Sequence, residues 1–201
     1  MITISDIRTT INDRDHEPAI HDTSASQASV ALIIAEGKTD LEICFIRRSE
    51  REDDPWSGHV AFPGGRVEVS DKCANTVAER ETQEEIGIQL LENQRIGPLP
   101  IRQISRSAAI ENMVLSPFIY EVGPRDQIST QCDPLEVANV FWVPVKHLFD
   151  KESVSEHEFN IRGSTMAFPG IQFEDHIIWG LTLRILGSFA EIMGYESPTN
   201  A

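Results

Sequence analysis

A chain of 201 residues with 40% hydrophobic content is long enough to bury a sizeable core, and its length favours one domain over two. Seventeen basic against thirty-two acidic residues leave a formal charge of −15, which excludes nonspecific affinity for nucleic acid or anionic membrane and otherwise describes a soluble surface. No apolar run approaches the roughly 18 residues of a membrane span, the N-terminus lacks the pattern of a secretory signal, and Cys44, Cys73 and Cys132 show no C-x-x-C spacing, so reduced thiols in a cytoplasmic protein are expected.

Residues 1–27 are polar and read as a partly ordered tail, followed by a domain over 28–195 and a short C-terminal tail over 196–201. From Ser29, two apolar runs separated by Glu36-Gly37-Lys38-Thr39-Asp40 predict a hairpin of strands ending near Ile46. The charged stretch 47–54 is a loop, and Val60-Ala61-Phe62 is a short strand halted by Pro63 and a glycine pair. Asp71 is the expected N-cap of the helix that carries Ala74, Val77 and Ala78. Beyond Gly87, strands are predicted over 112–122 and 137–145, and Leu181, Ile185, Phe189 and Ile192 lie nearly on one face of a last helix. This order suits an α/β fold with a mixed sheet between helices. The chain has no internal repeat and no low-complexity tract.

The chemistry concentrates behind the glycine pair of Phe62-Pro63-Gly64-Gly65. At about 100° per residue, Glu81, Glu84 and Glu85 fall on one helix face, together with the apolar Ala74, Val77 and Ala78. Carboxylates that continue an apolar stripe repel one another and lose hydration, so a positive partner is expected. Hard oxygen ligands at this density suit Mg²⁺ or Mn²⁺, which keep several waters and bind through a few carboxylates plus substrate phosphates. Cys44 sits in an apolar run and reads as a small buried hydrophobe.

These residues resemble the Nudix hydrolases, whose signature reads G-x5-E-x7-R-E-U-x-E-E-x-G-U with U a bulky apolar residue. Arg80, Glu81, Glu84, Glu85, Gly87 and Ile88 are in register, Thr82 stands at the first U, and the upstream acid is Asp71, eight residues before Arg80 instead of seven. The longer spacing is similar to the coenzyme A pyrophosphatase branch. So are Arg48-Ser49 leading into Gly58-x3-Phe62-Pro63-Gly64-Gly65, and the late Trp179-Gly180-Leu181-Thr182. That branch's Leu-Leu-Thr is replaced here by Cys44-Phe45-Ile46, an arginine of its motif falls on Asp53, and Gly58 lies one residue late.

The resemblance implies a Nudix-type α/β/α sandwich and hydrolysis of a diphosphate linkage with Mg²⁺ or Mn²⁺. Coenzyme A or acyl-coenzyme A would yield a 3′,5′-bisphosphorylated adenosine and 4′-phosphopantetheine or its acyl form. The alternatives are ADP-ribose or a related nucleoside diphosphate derivative, or a ligand-sensing module without turnover. The implied metal ligands are Glu81, Glu85, Glu84 and the Gly64 carbonyl, while Arg80 holds the acids in place and Glu84 or Glu136 takes a proton. Gly65 lets backbone approach a phosphate, and Arg47, Arg48 and Arg51 are the cations near enough in sequence to meet a 3′-phosphate. Glu111 is a further candidate ligand or base. His59 reads as a loop residue supporting the site, and Trp179 as packing the last helix, with nucleobase stacking its alternative. The expected partners are a small-molecule diphosphate and at most a second copy of the chain as a homodimer, with no nucleic acid and no membrane.

Overall fold

An apolar run without polar alternation marks a strand covered on both faces. In the computed structural model, which describes residues 2–12, 26–52, 54, 56–104, 112–161 and 163–197, the first such run is β1 (Ser26–Glu36). Leu32 and Ile34 enter one buried cluster, whereas Ala31, Ile33 and Ala35 enter another on the opposite face. β1 pairs antiparallel with β2 (Leu41–Arg48), across a turn in which the Gly37 N–H donates to Asp40 O at 2.9 Å. Its other edge runs parallel to β7 (Met113–Pro124).

The eight-stranded mixed sheet is completed by β3 (Val60–Ala61), β4 (Gly64–Arg66), β5 (Arg95–Pro98), β6 (Arg102–Ile104) and β8 (Val137–Pro144). On one face lies α2 (Ala74–Ile86), with Ala74, Ala78 and Ile86 against Ala31, Ile33, Cys44, Ile46, Phe118 and Tyr120. The other face is covered by α1 (Ile4–Asn12), α3 (Val145–Leu148) and α4 (Gly180–Ile192), through side chains such as Ile7, Ile11, Leu148, Leu186 and Phe189. This is the expected layering of helices on both faces of a mixed sheet. Among the described residues, no helix is long and apolar enough to cross a membrane.

The structure departs from the sequence reading in four places. The polar tail expected over 1–27 contains α1, whose Ile7 and Ile11 are buried; Thr3 and Asp6 exchange the hydrogen bonds of a capping box, and Ile11 packs over Gly97, where a Cβ would stand 2.5 Å from its Cγ2. The strand at Val60-Ala61 is halted as expected, but the glycine pair itself lies in a further strand. After Pro63 the chain resumes as β4 and pairs with β1, placing Gly64 opposite Val30 and Gly65 opposite Ser29. Cys73, not Asp71, is the N-cap of α2, with Thr76 completing the cap, because the Asp71 carboxylate is claimed by Arg80. Finally, β9 (Val154–Ile161), β10 (Ser164–Phe173) and β11 (His176–Trp179) form a second sheet.

Candidate active site

α2 presents to the sheet a stripe that begins apolar and ends acidic. It buries Ala74, Val77, Ala78, Thr82, Glu85 and Ile86 and stops at Gly87, whose φ of 73° is left-handed. Thr82 fills the position of the expected bulky apolar residue. Its hydroxyl donates to Ala78 O at 2.6 Å, so the buried group is satisfied within the helix.

Glu85 is buried, with only 2% of its side chain exposed, and faces β4: the Gly64 N–H donates to its Oε2 at 2.9 Å, and Arg48 Nη1 lies 4.0 Å from its Oε1. Burial pushes this carboxyl up to about 8; the nearby Glu81 and Glu136 charges act in the same direction, and the Gly64 N–H and Arg48 offset only part. Glu81 lies against Gly65, where a Cβ would stand 2.3 Å from its carboxyl carbon. Burial raises it as well, against the opposing effect of Arg80. Glu84 stands apart from this pair. On the helix wheel it is about 100° from Glu85, at the edge of the stripe. Its side chain is 56% exposed and accepts from Arg80 at 2.9 Å.

Arg80 ties the acids together. Its guanidinium meets Asp71 (3.1 Å), Glu81 (3.0 Å) and Glu84 (2.9 Å) and donates to Arg66 O at 3.1 Å. Asp71 thus reaches the arginine despite the longer loop. Burial alone would raise Asp71, but hydrogen bonds from Arg80 and the Glu68 N–H bring it below the usual carboxylate value. Among the described residues, no three His, Cys, Asp or Glu side chains converge at metal-holding distance, since Arg80 Nη1 stands between Glu81 and Glu84. The donor set nevertheless fits a hard divalent cation: a buried and a partly buried carboxylate, Glu85 and Glu81, both raised toward protonation, face a backbone that has glycine where a side chain would fill the space.

The three expected arginines are all engaged. Arg47 meets Glu50 at 3.6 Å, and Arg48 forks onto Asp54 at 3.1 and 2.7 Å. Arg51 donates to Leu135 O and lies 3.8 Å from Glu136. Asp54 was not foreseen as a partner, and no local spacing announces it. Glu136 is 41% exposed on its side chain, and its charge is felt at both Glu81 and Glu85. His59 contacts Trp179 edge-on at 4.9 Å, and burial lowers its pKa. Trp179 ends β11, caps α4 and stacks on Phe159 at 3.6 Å, against the second sheet. Cys44 is fully buried, and burial raises its thiol far above the ordinary value. Glu111 and Asp53 lie outside the described residues.

A pH dependence follows for the metal-free protein. Because the folded-state pKa of Glu85 lies above its ordinary 4.5, its stabilising contribution is complete below about 4.5 and is lost as pH rises through about 8. In EDTA, the thermal midpoint of Glu85→Gln relative to the parent should therefore increase across that window. A difference that stays constant with pH would show that Glu85 ionises normally.

Residues 25–161 match the NUDIX domain family. An uncharacterized Nudix hydrolase NudL of Photorhabdus laumondii is 29% identical over 135 residues, 67% of this chain and 68% of that protein. The human mitochondrial coenzyme A diphosphatase NUDT8 is 30% identical over 146 residues, which cover 71% of this chain and 59% of the human one. In three dimensions, a MutT/nudix family protein from Enterococcus faecalis superimposes with a TM-score of 0.59 over 98% of this chain and 73% of its own, at 14% identity, a likeness of fold.

Proposed function

The chain belongs to the NUDIX domain family, hydrolases of phosphorus-containing anhydrides, and on that premise we propose that its substrate is coenzyme A or acyl-coenzyme A, cleaved to 3′,5′-ADP and 4′-phosphopantetheine or its acyl form. The observation that carries a hydrolytic site is the pair of buried Glu85 and partly buried Glu81 closed over the Gly64-Gly65 strand. Support for coenzyme A comes from the segments Arg48-Ser49 to Gly65 and Trp179 to Thr182, and from the coenzyme A diphosphatase activity named for the human relative. The late Gly58, with Asp53 where the branch has an arginine, weighs against coenzyme A and leaves a second reading, a pyrophosphatase acting on ADP-ribose or a similar nucleoside diphosphate derivative. We place the enzyme in the cytoplasm on its three free cysteines; the human relative is described as mitochondrial.

Glu81 and Glu85, with Glu84 at the rim and the Gly64 carbonyl, would hold Mg²⁺ or Mn²⁺. Bound there, the ion supplies neutralisation of the diphosphate charge and acidification of water. Arg80 keeps Glu81 and Glu84 oriented, because its fork is fixed on the other side by Asp71 and Arg66 O. Gly65, having no side chain, admits a phosphate close to the backbone. Glu136, or failing it Glu84, accepts the proton of the attacking water. Arg47 and Arg48 are the cations available to a 3′-phosphate.

The test is a product-resolved screen of coenzyme A, its 3′-dephospho form, acyl-coenzyme A, NADH, ADP-ribose and diadenosine polyphosphates with Mg²⁺ and Mn²⁺. Coenzyme A should be cleaved fastest and its 3′-dephospho form roughly ten- to a hundred-fold more slowly in kcat/KM, the range of one charge-assisted contact. EDTA should abolish turnover, and millimolar Mg²⁺ should raise the melting temperature. Faster hydrolysis of ADP-ribose than of either coenzyme A form selects the second reading, and EDTA-insensitive turnover removes the metal.

A further inference from the structure

Glu136 is the last residue of the connection that leads into β8, and that connection is fastened at both ends. On one side, the Asp133 N–H donates to Glu85 O at 3.0 Å and the Gln131 N–H to Ile86 O at 2.9 Å, so the loop hangs from the end of α2. Asp133 then organises the turn itself, its carboxylate accepting from the Leu135 N–H at 2.9 Å and its carbonyl from the Glu136 N–H at 3.0 Å. On the other side, the Arg48-Ser49 segment grips the same turn. The Ser49 N–H donates to Glu136 O and its hydroxyl to Pro134 O, both at 2.9 Å, while Arg51 donates to Leu135 O and faces the Glu136 carboxylate.

Arg51 is itself held by a loop bonded to itself. Its N–H donates to Ser57 Oγ at 2.8 Å, the Ser57 N–H to Asp54 O at 3.0 Å, and Asp54 receives the fork of Arg48. Half-buried Trp56 packs this loop against the core. An exposed ion pair of this kind contributes little to stability. Its geometric effect is different: three consecutive residues, Pro134, Leu135 and Glu136, are each contacted by Ser49 or Arg51, so the direction of the Glu136 side chain is set from outside its own strand.

We propose that Ser49 and Arg51 are positioning residues that fix the Glu136 carboxylate relative to the α2 acids, rather than contacts to the substrate. This rests on the reading of Glu136 as proton acceptor. The Arg-Ser dipeptide then has two separate tasks: Arg48 faces Glu85 and Asp54, and Ser49 with Arg51 aims the acceptor. A misplaced acceptor lowers kcat and leaves substrate affinity alone, because the ground-state complex does not use it.

A double-mutant cycle with diphosphate substrate separates the possibilities. Glu136→Gln should lower kcat by about 10²-fold or more, the scale of a lost general base. Arg51→Ala should lower kcat by about ten-fold with KM unchanged within about two-fold, and should cost nothing further in the Glu136→Gln background. Ser49→Ala should behave alike, and Ser49→Thr, which keeps the hydroxyl, should restore the rate. Unchanged circular dichroism and thermal midpoint in Arg51→Ala accompany this result. A rise in KM with kcat held, a loss that multiplies with Glu136→Gln, or no loss at all in Arg51→Ala would overturn the positioning role while the acceptor stands. Near-normal kcat in Glu136→Gln would instead overturn the acceptor, and the inference with it.

Discussion

Replacing Glu85 by glutamine is expected to lower kcat by at least about 10²-fold while the protein stays folded, comparable to removing one preorganised electrostatic group. The exchange keeps size and one oxygen but removes the charge. In the structure that charge is buried and bonded to the Gly64 N–H, with Arg48 4.0 Å away and the Glu81 and Glu136 charges opposing its ionisation. A fold that pushes this carboxyl up to about 8 gains no stability at neutral pH from its ionisation, so neutralising it relieves the folded state. Activity and stability should move in opposite directions. The measurement pairs steady-state kinetics in saturating Mg²⁺ with melting curves in EDTA at pH 8. A Glu85→Gln protein with near-normal kcat would refute the role given to Glu85.

The second large effect is expected at Gly64. Its φ of 150° is a conformation that side chains rarely adopt, and a Cβ there would lie 2.2 Å from Ser29 O and 2.6 Å from Val30 Cα. Both obstacles are backbone of the central strand and cannot swing aside. Gly64→Ala should therefore cost at least about 3 kcal/mol, lowering the melting temperature by roughly 6 °C or more in a domain of this size. Gly65→Ala provides the contrast. There the obstruction is the carboxyl end of Glu81, which can turn away, so the protein should fold but lose activity. Equal melting temperatures for the parent and Gly64→Ala would mean that β4 does not lie against β1 as described.

The acid helix and the central hairpin were legible in the sequence because each is encoded within a few turns of chain, whereas the pairing of Gly64 and Gly65 with β1 was not. The stripe of Ala74, Val77, Ala78 and Glu85 needs only helical periodicity, and the runs on either side of Gly37 need only length and apolarity. Less legible was how the acids divide. Spacing puts Glu84 on the same side as Glu81 and Glu85, but only the sheet beneath α2 determines which are covered and which reach solvent. Asp71 looked like a cap until a partner nine residues on took its carboxylate. α1 was hidden by the polar residues between its isoleucines, although its Thr3 and Asp6 cap could have been read. The second sheet has weak alternation and many exposed positions, and its aromatics Phe159 and Phe168 find Trp179 only in three dimensions. The grip of Ser49 on Pro134 joins residues 85 apart in sequence, and periodicity carries no information about contacts of that range.

The parallel pairing of β1 with β7 sets how this chain reaches its native state. Ser26 must find Met113 and Ile34 must find Glu121 before the centre of the sheet exists, and the whole acid helix lies inside the loop that this pairing closes. Closing so long a loop costs entropy that is repaid only when both faces of β1 are covered, which puts refolding in the slow range of roughly milliseconds to seconds for non-local sheets. Until then Val30-Ala31-Leu32-Ile33-Ile34-Ala35 is an uncharged, strongly β-forming segment with unpaired edges. During synthesis it leaves the ribosome well before its partner, so the same strand that later anchors Gly64 and Gly65 is the segment most in need of a chaperone.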